Sequence, residues 1–144
     1  MFQQQGKGIL LGAVLMLALV VLFTGGMAYT DSGAFCSSCH VMAEAHKSWQ
    51  NSSHRELKCN ECHAPHNLAA KIPFKAKSGL RDVWAVTLGD VPAQIKVTPE
   101  SKAVIQANCV ECHRTTVSRT HVEKLSGQDC TFCHRGLPHG RTQK

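Results

Sequence analysis

The sequence predicts a mainly α chain with much irregular structure: one N-terminal transmembrane helix, then a small domain whose apolar core comes largely from bound cofactors. Three observations lead there. Residues Gly8 to Thr30 carry no charge. All eight cysteines fall into four copies of Cys-x-x-Cys-His. About 115 residues follow the first apolar run, which is little polypeptide for a core of its own.

The apolar run comes first. Its 23 residues reach roughly 35 Å as a helix, enough to span a bilayer. Lys7 and the α-amino group precede it and favour a cytoplasmic N-terminus. Gly26-Met27-Ala28 is a passable small-x-small cleavage site. The uncharged stretch nevertheless exceeds the h-region of an ordinary signal peptide, and the segment before it is weakly basic. Residues 1–30 are therefore expected to be an uncleaved anchor and 31–144 the cofactor domain, on the oxidising side of the membrane.

The motifs are Cys36-Ser-Ser-Cys39-His40, Cys59-Asn-Glu-Cys62-His63, Cys109-Val-Glu-Cys112-His113 and Cys130-Thr-Phe-Cys133-His134. Each is the attachment signal of a c-type haem. Two thioethers hold the porphyrin edge and the adjacent histidine reaches the iron. Zinc sites or disulfides could use the same cysteines, but neither needs a histidine after every pair. The reading is a tetrahaem cytochrome c with four covalently bound haems. The motifs come in pairs: Cys36 and Cys59 are 23 apart, Cys109 and Cys130 are 21 apart. A duplicated dihaem unit fits this spacing.

Between the pairs, Leu68, Ile72, Ala76, Leu80, Val83 and Trp84 fall near one helical face. Pro73 suits a first turn, so the main helix is expected from Pro73 to near Gly89. Two placements suit it: an ordinary surface helix, or one lying on the membrane beside the anchor. Lys75, Gly79 and Asp82 stand at i, i+4 and i+7 and form one stripe. A lysine and a carboxylate flanking a glycine would let a flat ring approach the backbone.

Four irons need up to eight axial ligands. Beyond the motif histidines, the candidates are His46, His54, His66, His121, His139 and Met42. His54 and His139 could cross over from other segments. Met42, two residues after His40, reaches only the proximal face of the first haem. If it ligates, the opposite face is left without a nearby strong ligand, and thioether ligation raises that haem's potential. The net charge of +6 suits haem propionates or an acidic partner. Nucleic acid is excluded in practice, because covalent haems are attached outside the cytoplasm.

One anchor, four motifs and the variant Cys36-x-x-Cys39-His40-x-Met42 resemble the NapC/NirT family of membrane-anchored quinol dehydrogenases. The stretches Cys59-Asn-Glu-Cys-His-Ala-Pro-His66 and Phe74-Lys-Ala-Lys-Ser-Gly-Leu-Arg-Asp-Val83 look most like its short members. Those serve as small subunit of the ammonia-forming cytochrome c nitrite reductase. The resemblance implies Met42 on haem 1, His63 with His139 on haem 2, and His134 with His54 on haem 4. For haem 3 it implies His113 with a lysine of the catalytic partner, although His121 offers an internal ligand. His46 and His66 would be spare. Lys75 would line the quinol pocket, with Asp82 at the open side of haem 1. Asp82 would be the proton acceptor, and Lys75 would orient or charge-stabilise a quinol oxygen. The implied activity is menaquinol oxidation in the cytoplasmic membrane, with electrons delivered to a periplasmic nitrite reductase; the chain itself reduces no nitrite. A different terminal reductase, or a soluble periplasmic electron shuttle released after Ala28, are the other readings.

Overall fold

The computed structural model describes residues 2–89, 91, 95–120, 129–134 and 136–139. Among the described residues there are helices and turns but no strand, as the composition led one to expect.

Helix α1 runs Phe2–Thr30, and its stretch Gln5–Thr30 is long and apolar enough to cross a membrane. From Gln5 onward its side chains face outward almost throughout, the pattern of a helix that meets lipid. The chain then turns sharply. Asp31 N–H still bonds back to the Met27 carbonyl, and Ser32 caps α2 (Gly33–Ser37) by accepting from Phe35 N–H at 3.2 Å. Tyr29 and Phe35 meet edge to face at 5.5 Å across this corner. A short 3₁₀ turn, His40–Met42, leads into α3 (Ala43–Gln50). Gly33 lets α2 approach α3 closely: a Cβ there would stand 3.3 Å from the Trp49 ring.

Helix α4 (Cys59–His63) is the second motif itself. Helix α5 runs Leu68–Leu88 and begins earlier than its proline suggests. Asn67 is the N-cap, accepting from Ala69 N–H at 2.8 Å, so the cap and not Pro73 sets the start. Pro73 lies inside the helix; what it forgoes is the bond to the Ala69 carbonyl. The far end is as expected: Gly89 closes it in the left-handed region at φ 72°. Helix α6 (Pro99–Cys112) starts on a Thr98 cap with Pro99 in its first turn. Helices α7 (Arg114–Thr120) and α8 (Cys130–Cys133) follow.

Packing centres on α4 against α6. Asn108 is buried there, and its amide donates towards the carbonyls of Glu61 (3.2 Å), Cys62 (3.1 Å) and Ala64 (2.9 Å). These carbonyls lie around the C-terminal end of α4, where no following turn continues the helix, and the Glu61 carbonyl also meets a His66 ring nitrogen. Ala64 is fully buried under this junction, the one buried apolar residue among those described. Large apolar side chains elsewhere remain open, Leu80, Val83 and Trp84 on α5 among them.

Replacing Asn108 by Leu strands the Cys62 and Ala64 carbonyls, while Glu61 keeps its bond to His66, and should destabilise the domain by about 1–3 kcal/mol. Thermal melts followed by Soret circular dichroism check this; an unchanged midpoint would remove Asn108 from the architecture.

Candidate functional site

The four motifs follow one another through space in chain order. The thiols of Cys36 and Cys59 are neighbours, and each acts on the other, pushing the first up in pKa and the second down to about 7. Burial, and then the neighbouring Cys112, raise the Cys62 thiol. Burial and Cys130 do the same to Cys109. Motif 1 thus borders motif 2, motif 2 borders motif 3, and motif 3 borders motif 4. Helix α6 fixes the last step too: the Gln106 carboxamide accepts from Cys130 N–H at 2.8 Å, and Lys102 pairs with Asp129 at 2.6 Å. Motifs 1 and 3 fall towards the ends of helices α2 and α6, whereas motifs 2 and 4 open α4 and α8.

Several candidate ligands are brought together. The rings of His63 and His139 stand with centres 5.8 Å apart, and those of His54 and His113 at 6.1 Å. An iron bound by two imidazoles at about 2 Å each sets ring centres roughly 6 Å apart, so both pairs have the spacing such a metal needs. In one ring of each pair Nδ1 is engaged in the way a metal-binding histidine requires. Nδ1 of His139 meets the Ala45 carbonyl at 3.2 Å, and Nδ1 of His54 meets the Ser53 hydroxyl at 3.2 Å. In each case Nδ1 is the engaged nitrogen, so Nε2 would be the one to meet an iron. The Trp49 indole donates to the His54 carbonyl at 3.0 Å and steadies that loop.

The ring that His54 approaches is thus that of His113; His134 lies exposed at the end of α8. His66 has both nitrogens occupied, by Glu111 (3.0 Å) and the Glu61 carbonyl (2.9 Å). His46 packs on Trp49, ring centres 5.3 Å apart. Met42 is half-buried at the start of α3. His121 lies outside the described residues.

Lys75 and Asp82 lie two turns apart on α5. Asp82 is exposed, and the Gly79 backbone between them is open: a Cβ there would meet nothing within 4 Å. Lys75 turns to the end of the membrane helix, its Nζ donating to Thr30 Oγ1 (2.7 Å) and Asp31 Oδ1 (2.6 Å). Lys71 donates to Asp31 Oδ2 at 2.6 Å, and the Asn60 amide to Oδ1 at 2.8 Å. The sequence reading missed this cluster. Its signal was that Asp31 is the first charge after a 23-residue uncharged run. Burial alone would raise the Asp31 pKa, but Lys71, Lys75 and Asn60 outweigh it and hold the carboxyl at about 2. Both Lys75 and Asp31 act on the Cys36 thiol, in opposite directions, which places the cluster beside the first motif.

A carboxyl held below its unfolded value of 3.8 stabilises the fold fully above pH 4 and loses that contribution as pH falls through about 2. Acid unfolding compared between the natural chain and an Asp31→Asn variant should therefore show a gap above pH 4 that closes between about 4 and 2. A gap independent of pH would contradict the lysine pairing.

The family model described as NapC/NirT cytochrome c family, N-terminal region, matches residues 3–144. The cytochrome c nitrite reductase subunit NrfH of Nitratidesulfovibrio vulgaris is 43% identical over 136 residues, 94% of this chain and 84% of that one. The cytochrome c-type protein NrfH of Wolinella succinogenes is 34% identical over 122 residues, 75% of this chain and 68% of its own. Among solved structures, a chain of the cytochrome c nitrite reductase NrfHA complex bound to the HQNO inhibitor superposes with a TM-score of 0.86. It is 41% identical, and the match covers 94% of this chain and 92% of that one. With one helix among the described residues long and apolar enough to cross a membrane, this is a single-pass membrane cytochrome of the same fold. The chain belongs to the NapC/NirT cytochrome c family, whose covalently bound haem c its Cys-x-x-Cys-His motifs are built to hold.

Proposed function

We propose that this chain oxidises menaquinol at the membrane surface and delivers the electrons to a catalytic cytochrome c nitrite reductase subunit on the periplasmic side. The observation that carries this reading is the placement of Lys75 and the exposed Asp82 on α5, tied at its start to the end of the membrane helix and adjoining the first motif. The relatives add that NrfH is a nitrite reductase subunit and that the NrfHA complex binds the HQNO inhibitor.

Four haems c are proposed, one per motif, in a domain spanning 31–144. Bound there, they would supply one-electron redox chemistry along the chain of motifs. Met42 is proposed as the haem 1 ligand, and His63 with His139 for haem 2. His113 and His134 are the motif ligands of haems 3 and 4. The protein's own task is at the quinol. Oxidation of a quinol to a quinone releases two electrons and two protons, one proton going to Asp82 and the other to solvent. Asp82, an exposed carboxylate, accepts a proton from a quinol hydroxyl. Lys75 has three N–H donors and uses two on Thr30 and Asp31, so the third is free to meet the other oxygen. Gly79 leaves room for the ring between them.

The test is affinity purification from detergent-solubilised membranes, followed by nitrite reduction with a quinol donor. The expected result is a complex that reduces nitrite, stops with HQNO, and loses about 10²-fold or more of its rate in the Asp82→Asn variant while haem content is unchanged. Quinol oxidation indifferent to Asp82→Asn would remove that residue from the mechanism.

For His54 a second reading stands beside haem 4, because its ring faces His113 at 6.1 Å. The His54→Ala variant should lose one bis-imidazole low-spin signal in electron paramagnetic resonance. If the His113→Ala variant loses the same signal, His54 serves haem 3; if the His134→Ala variant does, it serves haem 4. No loss of signal in the His54 variant would deny it any iron.

A further inference from the structure

We propose that Asp31 is a positioning residue of the quinol site, holding the Lys75 ammonium so that its remaining N–H points to the substrate oxygen. The inference rests on the quinol reading above and deepens it.

A lysine side chain is a flexible four-carbon stem, and left alone its ammonium samples water in many rotamers. Lys75 is not left alone: its side chain is 16% exposed and its Nζ has two partners, Asp31 Oδ1 at 2.6 Å and Thr30 Oγ1 at 2.7 Å. Both partners belong to the point where the membrane helix ends. The Asp31 carboxylate is itself fixed from two further sides. Lys71, one turn earlier on α5, holds Oδ2 at 2.6 Å, and Asn60, inside the second motif, holds Oδ1 at 2.8 Å. One carboxylate thus ties the anchor, α5 and the second motif together, and the first motif is near enough for Cys36 to respond to both Asp31 and Lys75.

The charges explain why two lysines are present. A tether between anchor and domain is complete with Lys71 alone. Adding Lys75 leaves two ammoniums on one carboxylate, an excess of one positive charge. That excess suits an oxygen that becomes negative as its proton leaves. Preorganisation of this kind matters because the donor need not reorient when charge develops.

A double-mutant cycle in the full membrane-extracted chain separates positioning from tethering. Quinol-driven haem reduction is measured beside reduction by dithionite, which needs no quinol site. Asp31→Asn should lower kcat/KM for quinol about tenfold, the order of one charge-assisted hydrogen bond, and leave dithionite reduction and haem content unchanged. Asp31→Glu should restore part of the rate. Combined with Lys75→Met, Asp31→Asn should cost no further rate; combined with Lys71→Met, it should. Additive losses with Lys75→Met, or an unchanged kcat/KM, would overturn the proposal. Should Asp31→Asn fail to assemble, Thr30→Val removes one acceptor from Lys75 and leaves the carboxylate. A loss of about threefold supports the proposal, and none overturns it. A natural chain that does not oxidise quinol at all would sink the quinol reading itself; an active chain indifferent to Asp31→Asn sinks only the role of Asp31.

Discussion

The side-chain amide of Asn108 donates towards three carbonyls around the end of α4, and the arrangement of the domain depends on that junction. Asn108 immediately precedes Cys109, and the carbonyls belong to Glu61, Cys62 and Ala64. One residue therefore locks the second haem motif against the third. Around it the polypeptide buries very little: Ala64 is the single apolar residue in that class among those described. A domain with so little core of its own is stable only if something else covers its apolar side chains. Covalently held porphyrins meet that need, and the same attachment that stabilises the chain lines up its redox centres.

Two polar clusters give that line its ends. At the membrane, Asp31 gathers Lys71, Lys75 and Asn60 where α1 stops. Further along, Gln106, Lys102 and Asp129 fasten the fourth motif to α6. Both use charged or amide side chains to do what a hydrophobic core does in larger domains. Charge-assisted hydrogen bonds suit this task because they are directional and tolerate partial exposure. The membrane cluster also accounts for the course of α5, which is tied to the rest of the domain largely through Lys71, Lys75 and, further along, the Lys77–Glu100 pair.

Much of this was legible in the sequence, and the reasons are physical. The anchor follows from an uncharged run, the motifs from covalent chemistry that permits little variation, and the end of α5 from a glycine at positive φ. The approach of His139 to His63, over more than 70 residues of chain, came from the resemblance and has its counterpart in the ring spacing of 5.8 Å. The start of α5 lies before Pro73, the first-turn residue that the sequence suggests, because the Asn67 cap governs it. Asp31, Asn60 and Asn108 were invisible for a different reason. Each acts across 29 residues or more, and a short polar side chain carries no periodicity to reveal its partner.

Stability and electron transfer alike require each of the four motifs to hold its own haem by thioether bonds. Pyridine-haemochrome quantification of the membrane-extracted chain, set against protein concentration, measures this most directly. The expected result is four haems c per polypeptide, none of them extracted by acidified acetone. A ratio below four, or haem that the solvent removes, would contradict it.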